Sequence, residues 1–81
     1  MKRIRFFTRA DCHLCHAALF VVQRLQESIP FELEIVDIDA PDQARSRAAF
    51  SDHIPVVEVD GREFCRHHVS EGALRRRLLE G

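Results

Sequence analysis

Alternating hydrophobic and polar positions along the chain predict four β-strands. Residues 2–9, KRIRFFTR, mix β-branched and aromatic side chains with charges in near alternation, and residues 31–39, FELEIVDID, begin in the same way after Pro30. Asp60-Gly61 separates two further apolar-rich runs within PVVEVDGREFCR, and this dipeptide is typical of a two-residue hairpin turn. The pattern therefore predicts two separate strands followed by a hairpin.

The hairpin turn also determines which residues face each other. With a two-residue turn at this dipeptide, Val57 opposes Phe64 and Val56 opposes Cys65. This register puts Cys65 on the Val56 side of the sheet. We therefore expect Cys65 to be a small buried hydrophobic residue rather than a third reactive thiol.

Apolar residues at helical spacing predict a first helix directly after the first strand. It runs from about Cys12 to Glu27, and Asp11 stands where the N-cap is expected. Its apolar stripe comprises Leu14, Ala18, Val21, Val22 and Leu25.

Two further helices are predicted, one in the middle of the chain and one at its end. Residues 40–50, APDQARSRAAF, open with a Pro and an Asp suited to a helix start and hold helix-forming residues up to Phe50, although their apolar face is thin. Ser70 is suited to cap the last helix, which ends at Gly81. The apolar residues of that helix are Ala73, Leu74, Leu78 and Leu79.

The element order β-α-β-α-β-β-α predicts a single α/β domain over residues 1–81. The first two strands, joined through a helix, should be parallel with a right-handed crossover, and the hairpin adds an antiparallel pair. A chain of 81 residues has room for one small core. We therefore predict a four-stranded mixed sheet flanked by helices.

Composition and charge are those of an ordinary folded protein. A hydrophobic content of 46% with 31% charged residues is far from a disordered composition. The formal net charge of −1 gives no electrostatic reason to expect nucleic acid or a membrane as partner. Since the sequence has no apolar run of signal-peptide or membrane-spanning length, we expect a cytoplasmic monomer. In that compartment the three cysteines are expected to be reactive or buried singly rather than a structural disulfide framework.

Residues 12–16, CHLCH, satisfy three motif definitions at once. C-x-x-C near a β-α-β pattern indicates a redox dithiol, C-x-x-C-H is a c-type haem attachment string, and paired cysteines with histidine can bind zinc. Haem conflicts with the expected cytoplasmic location, and Met1 is the only methionine. Zinc would need distant ligands such as Cys65, His67 or His68, since the chain has no second C-x-x-C.

Helix geometry favours the redox interpretation. Cysteines three apart in a first helical turn have Cα atoms about 5 Å apart, within the range that a disulfide requires. Cys12 would lie at the helix N-terminus, where free N–H groups and the helix dipole stabilise a thiolate, and Cys15 would lie one turn deeper as a resolving thiol. Arg9 and His13 add positive charge nearby, against the negative charge of Asp11.

Two strings together carry a family resemblance. TRADCHLC after the first strand and HIPVV at the start of the third resemble the glutaredoxin-like branch of the thioredoxin superfamily over essentially the whole chain. The resemblance implies a thioredoxin fold with Cys12 as nucleophile, Cys15 as resolving thiol and Pro55 as a cis-proline beside the dithiol. It also implies that backbone groups of Ile54 pair with an extended substrate or with the cysteinyl part of glutathione.

The chain departs from the common glutaredoxin pattern at three places. Glutaredoxins commonly carry Pro-Tyr between the cysteines, Thr-Val before the proline and Gly-Gly with acidic residues at the last helix, whereas residues 13–14, 53–54 and 66–72 read HL, HI and RHHVSEG. Ser70, at a helix N-terminus, is still suited to a glutathione carboxylate, and Arg9 to a second one. Smaller glutaredoxin-like families share this looser pattern.

The leading hypothesis is a thiol–disulfide oxidoreductase without metal or prosthetic group. The candidate site comprises Cys12 and Cys15 as catalytic pair and Arg9, His13, Ile54, Pro55 and Ser70 as substrate-binding residues. Its expected partner is a disulfide-containing protein or a glutathione mixed disulfide, with glutathione as a candidate cosubstrate. The alternatives are a module of the same fold whose cysteines ligate a metal or iron–sulfur cluster, and a domain that serves only as a docking surface.

Overall fold

Seven secondary-structure elements follow one another in the predicted order. The structure is a computed structural model, and it describes residues 1–80. The elements are β1 (Arg3–Thr8), α1 (His13–Gln26), β2 (Glu32–Asp37), α2 (Ala44–Phe50), β3 (Val56–Val59), β4 (Arg62–Arg66) and α3 (Glu71–Leu79). The predicted helix end at Gly81 lies outside the described residues. No helix within residues 1–80 combines the length and the apolar character needed to cross a membrane.

The four strands form one mixed sheet in the order β2-β1-β3-β4, as predicted. β1 pairs with β2 in parallel through the α1 crossover, while β3 is antiparallel to both β1 and β4. Phe7, near the end of β1, faces Val56, the first residue of β3. The loop that leads from β1 into α1 and the segment that leads into β3 therefore meet at one edge of the sheet.

Both faces of the sheet carry a hydrophobic cluster. On one face Ile4 and Phe6 pack with Val22 and Leu25 of α1 and Leu74 of α3. The opposite face holds a smaller cluster made of Phe7, Val36, Ile38 and Val56, with Phe50 of α2 against it. Since successive side chains of a strand point to opposite faces, the neighbours Phe6 and Phe7 belong to different clusters.

The start of α1 differs from the prediction. Asp11 is not the N-cap: it adopts a left-handed conformation with φ of 60°, and Cys12 caps the helix through its sulfur. Leu14, predicted on the apolar stripe, is 59% exposed, whereas Cys15 is buried in its place. The chain turns sharply at Asp11 before the helix begins. Relative to the predicted orientation, α1 turns Cys15 rather than Leu14 toward the sheet.

The register of the hairpin is also different from the prediction beyond its turn. A β-bulge shifts the pairing after Glu58 and Glu63, so that Val57 faces Cys65 instead of Phe64. Cys65 therefore packs against the cluster of Val57 under α1, not on the Val56 side. The extra residue of the bulge exchanges the two faces of the sheet for every residue that follows it.

α2 is shorter than predicted and packs loosely. It begins at Ala44 rather than at Pro41, because residues 38–42 form turns in which the Ala40 N–H donates to the Asp37 carbonyl. Each residue of α2, all of them described, is at least partly exposed. Phe50 anchors it, with its ring centroid 4.9 Å from that of Phe7. The thin apolar face predicted for this helix is confirmed.

Candidate functional site

Cys12 and Cys15 form a disulfide at the start of α1. Their Cα atoms are 5.2 Å apart, which agrees with the spacing expected for the first turn of a helix. Cys12 is partly exposed, and Cys15 is 1% exposed. The prediction that these two residues are brought together, with Cys15 the less accessible, is confirmed.

The sulfur of Cys12 lies at the positive end of a helix. Its Sγ accepts the backbone N–H of Cys15 at 3.2 Å, one of the helix donors that have no partner within the helix. The Cys12 carbonyl accepts the N–H of His16 at 3.1 Å and so starts the helical hydrogen bonds. In the reduced protein the same N–H group is placed to stabilise negative charge on the Cys12 sulfur.

The first turn of α1 presents polar and apolar side chains to the outside. His13 is exposed, and its ring centroid is 6.4 Å from that of His16 in an edge-on arrangement. Leu14 borders a groove of about 140 Å³ between α1 and the segment before α3, where Val69 forms part of the opposite wall. The residues between the two cysteines are therefore accessible to a partner.

Pro55 lies buried directly before β3, and the Ile54–Pro55 peptide bond is cis. Its carbonyl accepts the N–H of His67 at 2.7 Å, and His67 has a left-handed φ of 76°. Ile54 is half-buried and contacts both hydrophobic clusters. The loop between β4 and α3, which carries His67, is thereby joined to the Pro55 segment.

Two histidine rings lie beside this junction. The ring centroids of His53 and His67 are 5.6 Å apart, and the Nδ1 atom of His53 is buried without a hydrogen-bond partner in the structure. Among residues 1–80, no group of three or more His, Cys, Asp or Glu side chains is arranged to hold a metal ion.

Arg9 is engaged by two other parts of the chain. Its guanidinium donates to both carboxylate oxygens of Asp39, at 3.0 and 2.8 Å, and to the carbonyl of Ser51 at 3.4 Å. The hydrogen bond between the two side chains raises the pKa of Arg9 and lowers the pKa of Asp39 from its usual value. Arg9, which was predicted to bind a substrate carboxylate, therefore binds the carboxylate of Asp39 in this structure.

Ser70 is the N-cap of α3, as predicted. Its hydroxyl accepts the N–H of Ala73 at 3.2 Å, and the residue is exposed. The hydroxyl thus serves its own helix, while the helix N-terminus faces solvent. A contact between Ser70 and a glutathione carboxylate stays a prediction.

The third thiol has a different environment from the first two. Burial, together with the nearby charge of Glu63, raises the pKa of Cys65 to about 11. The sulfur is therefore protonated at neutral pH and is a poor nucleophile. Cys65 is thus an unreactive thiol, as expected, but it is only partly buried and lies on the opposite face from the predicted one.

Comparisons with known proteins place this geometry in a family. A family model described as a glutaredoxin-like domain (DUF836) matches residues 3–79. The chain belongs to this glutaredoxin-like family. An uncharacterized protein of Mycobacterium tuberculosis is 32% identical over 76 residues, which cover 90% of this chain and 78% of that protein.

Solved structures share the fold of this glutaredoxin-like protein. A thioredoxin from Halobacterium salinarum superposes with a TM-score of 0.71 at 22% identity, over 95% of this chain and 71% of that one. NrdH-redoxin from Escherichia coli, a glutaredoxin-like protein with a thioredoxin-like activity profile, has a TM-score of 0.59 at 28% identity, over 98% and 96% of the two chains. The predicted thioredoxin fold is confirmed.

Sequence reasoning missed the partners of Arg9 and the neighbours of Pro55. Asp39 and Ser51 lie far from Arg9 along the chain and meet it only through the fold. The contact of His67 with Pro55 depends on the left-handed backbone of His67 after β4. A glycine at this position would have indicated such a conformation, whereas a histidine does not. The two acidic residues of the sequence DID at 37–39 indicated a cation partner, but they did not identify it.

Proposed function

We propose that this glutaredoxin-like protein is a thiol–disulfide oxidoreductase that uses Cys12 and Cys15 as its redox pair. The observation that carries the proposal is the asymmetry of the pair: Cys12 is partly exposed at the N-cap of α1, whereas Cys15 is 1% exposed. A partner disulfide can therefore reach the sulfur of Cys12 directly. Cys15, which a partner cannot reach, reacts only with the mixed disulfide on Cys12.

The proposed reaction consists of two exchanges. The Cys12 thiolate attacks one sulfur of the partner disulfide, the partner S–S bond breaks, and the other partner sulfur leaves as a thiolate that takes a proton from water. The Cys15 thiolate then attacks the Cys12 sulfur of the mixed disulfide, which releases the second partner sulfur and forms the Cys12–Cys15 disulfide. The partner gains two electrons and two protons, and the dithiol loses them.

The local electrostatics support Cys12 as the attacking sulfur. The N–H of Cys15 points at the Cys12 sulfur from a distance of 3.2 Å, and charge-assisted hydrogen bonds of this kind favour the ionised form of the acceptor. No step requires a metal or prosthetic group, since the two sulfurs carry the electrons.

We further propose that the partner binds along the Ile54–Pro55 segment, which leads into β3. This segment lies at the end of the sheet where the loop before α1 meets the start of β3, so an extended partner segment there lies beside the dithiol. The exposed side chain of His13 lies at the N-terminal end of α1, next to Cys12. The partner is a disulfide-containing protein or a glutathione mixed disulfide in the cytoplasm, and glutathione is the candidate cosubstrate.

A glutathione partner would also use its two carboxylates. The exposed N-terminus of α3 at Ser70 is suited to one of them. Arg9 could hold the other only by exchanging Asp39 for the ligand. We expect the cysteinyl part of glutathione, which carries the reacting sulfur, to depend on Ile54 rather than on these charges.

Single-turnover exchange tests the proposal with a set of cysteine variants. Reduced protein is mixed with a peptide disulfide, quenched with acid and alkylating agent, and weighed by mass spectrometry. We expect Cys12→Ser to lose exchange by at least about a hundredfold, because the attacking sulfur is gone. Cys15→Ser should accumulate a mixed disulfide with half of the peptide, because the resolving sulfur is gone.

Cys65→Ser is the matched control for the loss of a cysteine. It should exchange at the wild-type rate, since its sulfur takes no part in either step. Exchange in Cys12→Ser at the wild-type rate would contradict the proposal, as would a mixed disulfide on Cys65.

A further inference from the structure

Arg9 joins three loops at the edge of the sheet that holds the dithiol. It follows β1 and precedes the turn into Cys12, and its guanidinium donates to Asp39 after β2 and to Ser51 after α2. The contact with Asp39 is bidentate, with Nε 3.0 Å from Oδ2 and Nη2 2.8 Å from Oδ1. Two parallel hydrogen bonds fix both the distance and the plane of the guanidinium.

The turn that carries Asp39 is itself held from a second side. Arg47 of α2 donates to the carbonyl of Ile38 at 2.8 Å and to that of Ala40 at 3.4 Å. The N–H of Asp39 donates to the Asp37 carboxylate at 2.9 Å. These hydrogen bonds hold Asp39 in place. Through its ion pair with Asp39, Arg9 fixes the loop before the dithiol relative to this turn.

The Ser51 contact extends this connection toward Pro55. Ser51 is the C-cap of α2, and the chain runs from it through His53 and Ile54 to the start of β3. Arg9 therefore connects the two sides of the site: it belongs to the loop that ends in Cys12, and it contacts Ser51 at the start of the segment that ends in Pro55.

We propose that the Arg9–Asp39 ion pair is a positioning device for disulfide exchange: by fixing the guanidinium that also binds the Ser51 carbonyl, it sets the Cys12 loop and the 51–55 segment at the spacing that a bound partner disulfide requires. The inference rests on the proposed function, because it concerns the alignment of a partner on Cys12. It assigns Arg9 to the protein's own carboxylate rather than to a carboxylate of the substrate. In-line attack on a disulfide depends on such alignment, and a displacement of about 1 Å can cost up to about a hundredfold in rate.

The ion pair is exposed enough to be removed without unfolding the protein. The side chains of Arg9 and Asp39 are 32% and 47% exposed, and ion pairs of this kind contribute little to the free energy of unfolding. A positioning role and a purely stabilising role therefore predict different results. The first predicts slower exchange at nearly unchanged stability, and the second predicts that the two fall together.

The test compares Arg9→Gln, Asp39→Asn and the double variant with wild type. The probe is a peptide disulfide with capped termini and no acidic side chains, so that no substrate carboxylate is present. We expect the second-order rate constant to fall about tenfold in each single variant. The double variant should fall about tenfold rather than a hundredfold, because both substitutions remove one interaction.

Arg9→Lys separates charge from geometry. Lysine keeps the positive charge but lacks the planar fork that binds both oxygens of Asp39. We expect it to exchange as slowly as Arg9→Gln. The pH dependence of Cys12 alkylation by iodoacetamide should match wild type in Arg9→Lys and in the double variant, which keep the net charge near the dithiol, since the device acts on alignment and not on the ionisation of the thiol.

Arg3→Gln is the matched control. It removes an exposed pair with Glu34, at 3.0 Å, at the opposite end of β1 from the site. We expect it to exchange at the wild-type rate. All variants should unfold within about 5 °C of wild type.

Several results would overturn the inference. Wild-type rates in Arg9→Gln and Asp39→Asn would do so, as would full activity of Arg9→Lys or a multiplicative loss in the double variant. Faster exchange of Asp39→Asn with glutathione disulfide would show instead that Arg9 serves a substrate carboxylate. If wild type itself does not exchange at Cys12, the proposed function fails, which is a separate outcome from unaffected variants of an active protein.

Discussion

At the scale of single residues, the three cysteines of this chain differ in what surrounds each sulfur. Cys12 accepts a helix N–H and is partly exposed, and Cys15 is covered by the core. Cys65 lies on β4 and is partly exposed, and burial raises its pKa to about 11. The three thiols therefore differ in environment: one at a helix N-terminus, one covered by the core, and one partly buried on a strand.

Cys65 should resist alkylation at pH 8 in the folded protein. Burial favours the neutral thiol, so its pKa of about 11 lies above the ordinary value of 9.0. We expect iodoacetamide to modify Cys65 at pH 8 at least about tenfold more slowly in the native protein than in urea. The stabilisation from burying the neutral thiol is complete below pH 9.0 and is lost as pH rises through about 11.

The Cys12→Ser, Cys15→Ser double variant isolates this measurement, because Cys65 is then the one thiol left. Peptide mapping by mass spectrometry identifies the modified residue. Equal rates in buffer and in urea would show that Cys65 is not protected.

Sequence alone predicted the residues of the dithiol better than their surroundings. The close approach of Cys12 and Cys15 follows from their spacing in one helical turn, which is local geometry. The Arg9–Asp39 pair joins residues on different loops, and the chain offers many other acidic residues to each arginine. Long-range partners of this kind depend on the tertiary structure.

At the scale of elements, α2 is the helix most weakly attached to the sheet. Its residues are all at least partly exposed, and Phe50 is the side chain that packs against the cluster of Phe7. α1, by contrast, buries Cys15, Ala18, Val22 and Leu25. The aromatic contact of Phe50 with Phe7 is therefore the main apolar attachment of α2 to the sheet.

Phe50→Ala should loosen α2 and lower the stability of the whole domain. Loss of a half-buried aromatic ring costs about 2 kcal/mol of unfolding free energy, less than a fully buried phenylalanine. Urea unfolding of the reduced protein measures this loss, and hydrogen exchange should show the amides of residues 44–50 opening first.

Phe20→Ala is the control, since Phe20 is 63% exposed on α1 and should cost less than about 0.5 kcal/mol. Equal losses in Phe20→Ala and Phe50→Ala would contradict the view that Phe50 anchors α2.

The predicted elements were correct in type and order, while the N-cap of α1, the start of α2 and the register of the hairpin were not. Hydrophobic periodicity reports the middle of a strand or helix, so the sheet and three helices could be inferred. The cap at Cys12 and the bulge after Glu58 are single-residue events that periodicity does not record. One such event was enough to move Cys65 to the other face of the sheet.

At the scale of the whole molecule, the topology brings the chemistry together. The parallel pairing of β1 with β2 and the antiparallel pairing of β1 with β3 direct three loops to one edge of the sheet. That edge holds the dithiol, Pro55 and the Arg9–Asp39 pair. The glutaredoxin-like family match over residues 3–79 covers all of these features.

The central claim is that Cys12 and Cys15 form a reversible redox pair, and an equilibrium titration tests it most directly. Protein is equilibrated in glutathione buffers of increasing oxidation, and free thiols are counted by alkylation and mass spectrometry. We expect one reversible two-electron transition that removes the thiols of Cys12 and Cys15 together and leaves Cys65 reduced. Absence of this transition, or thiols that a bound metal protects from alkylation, would contradict the account.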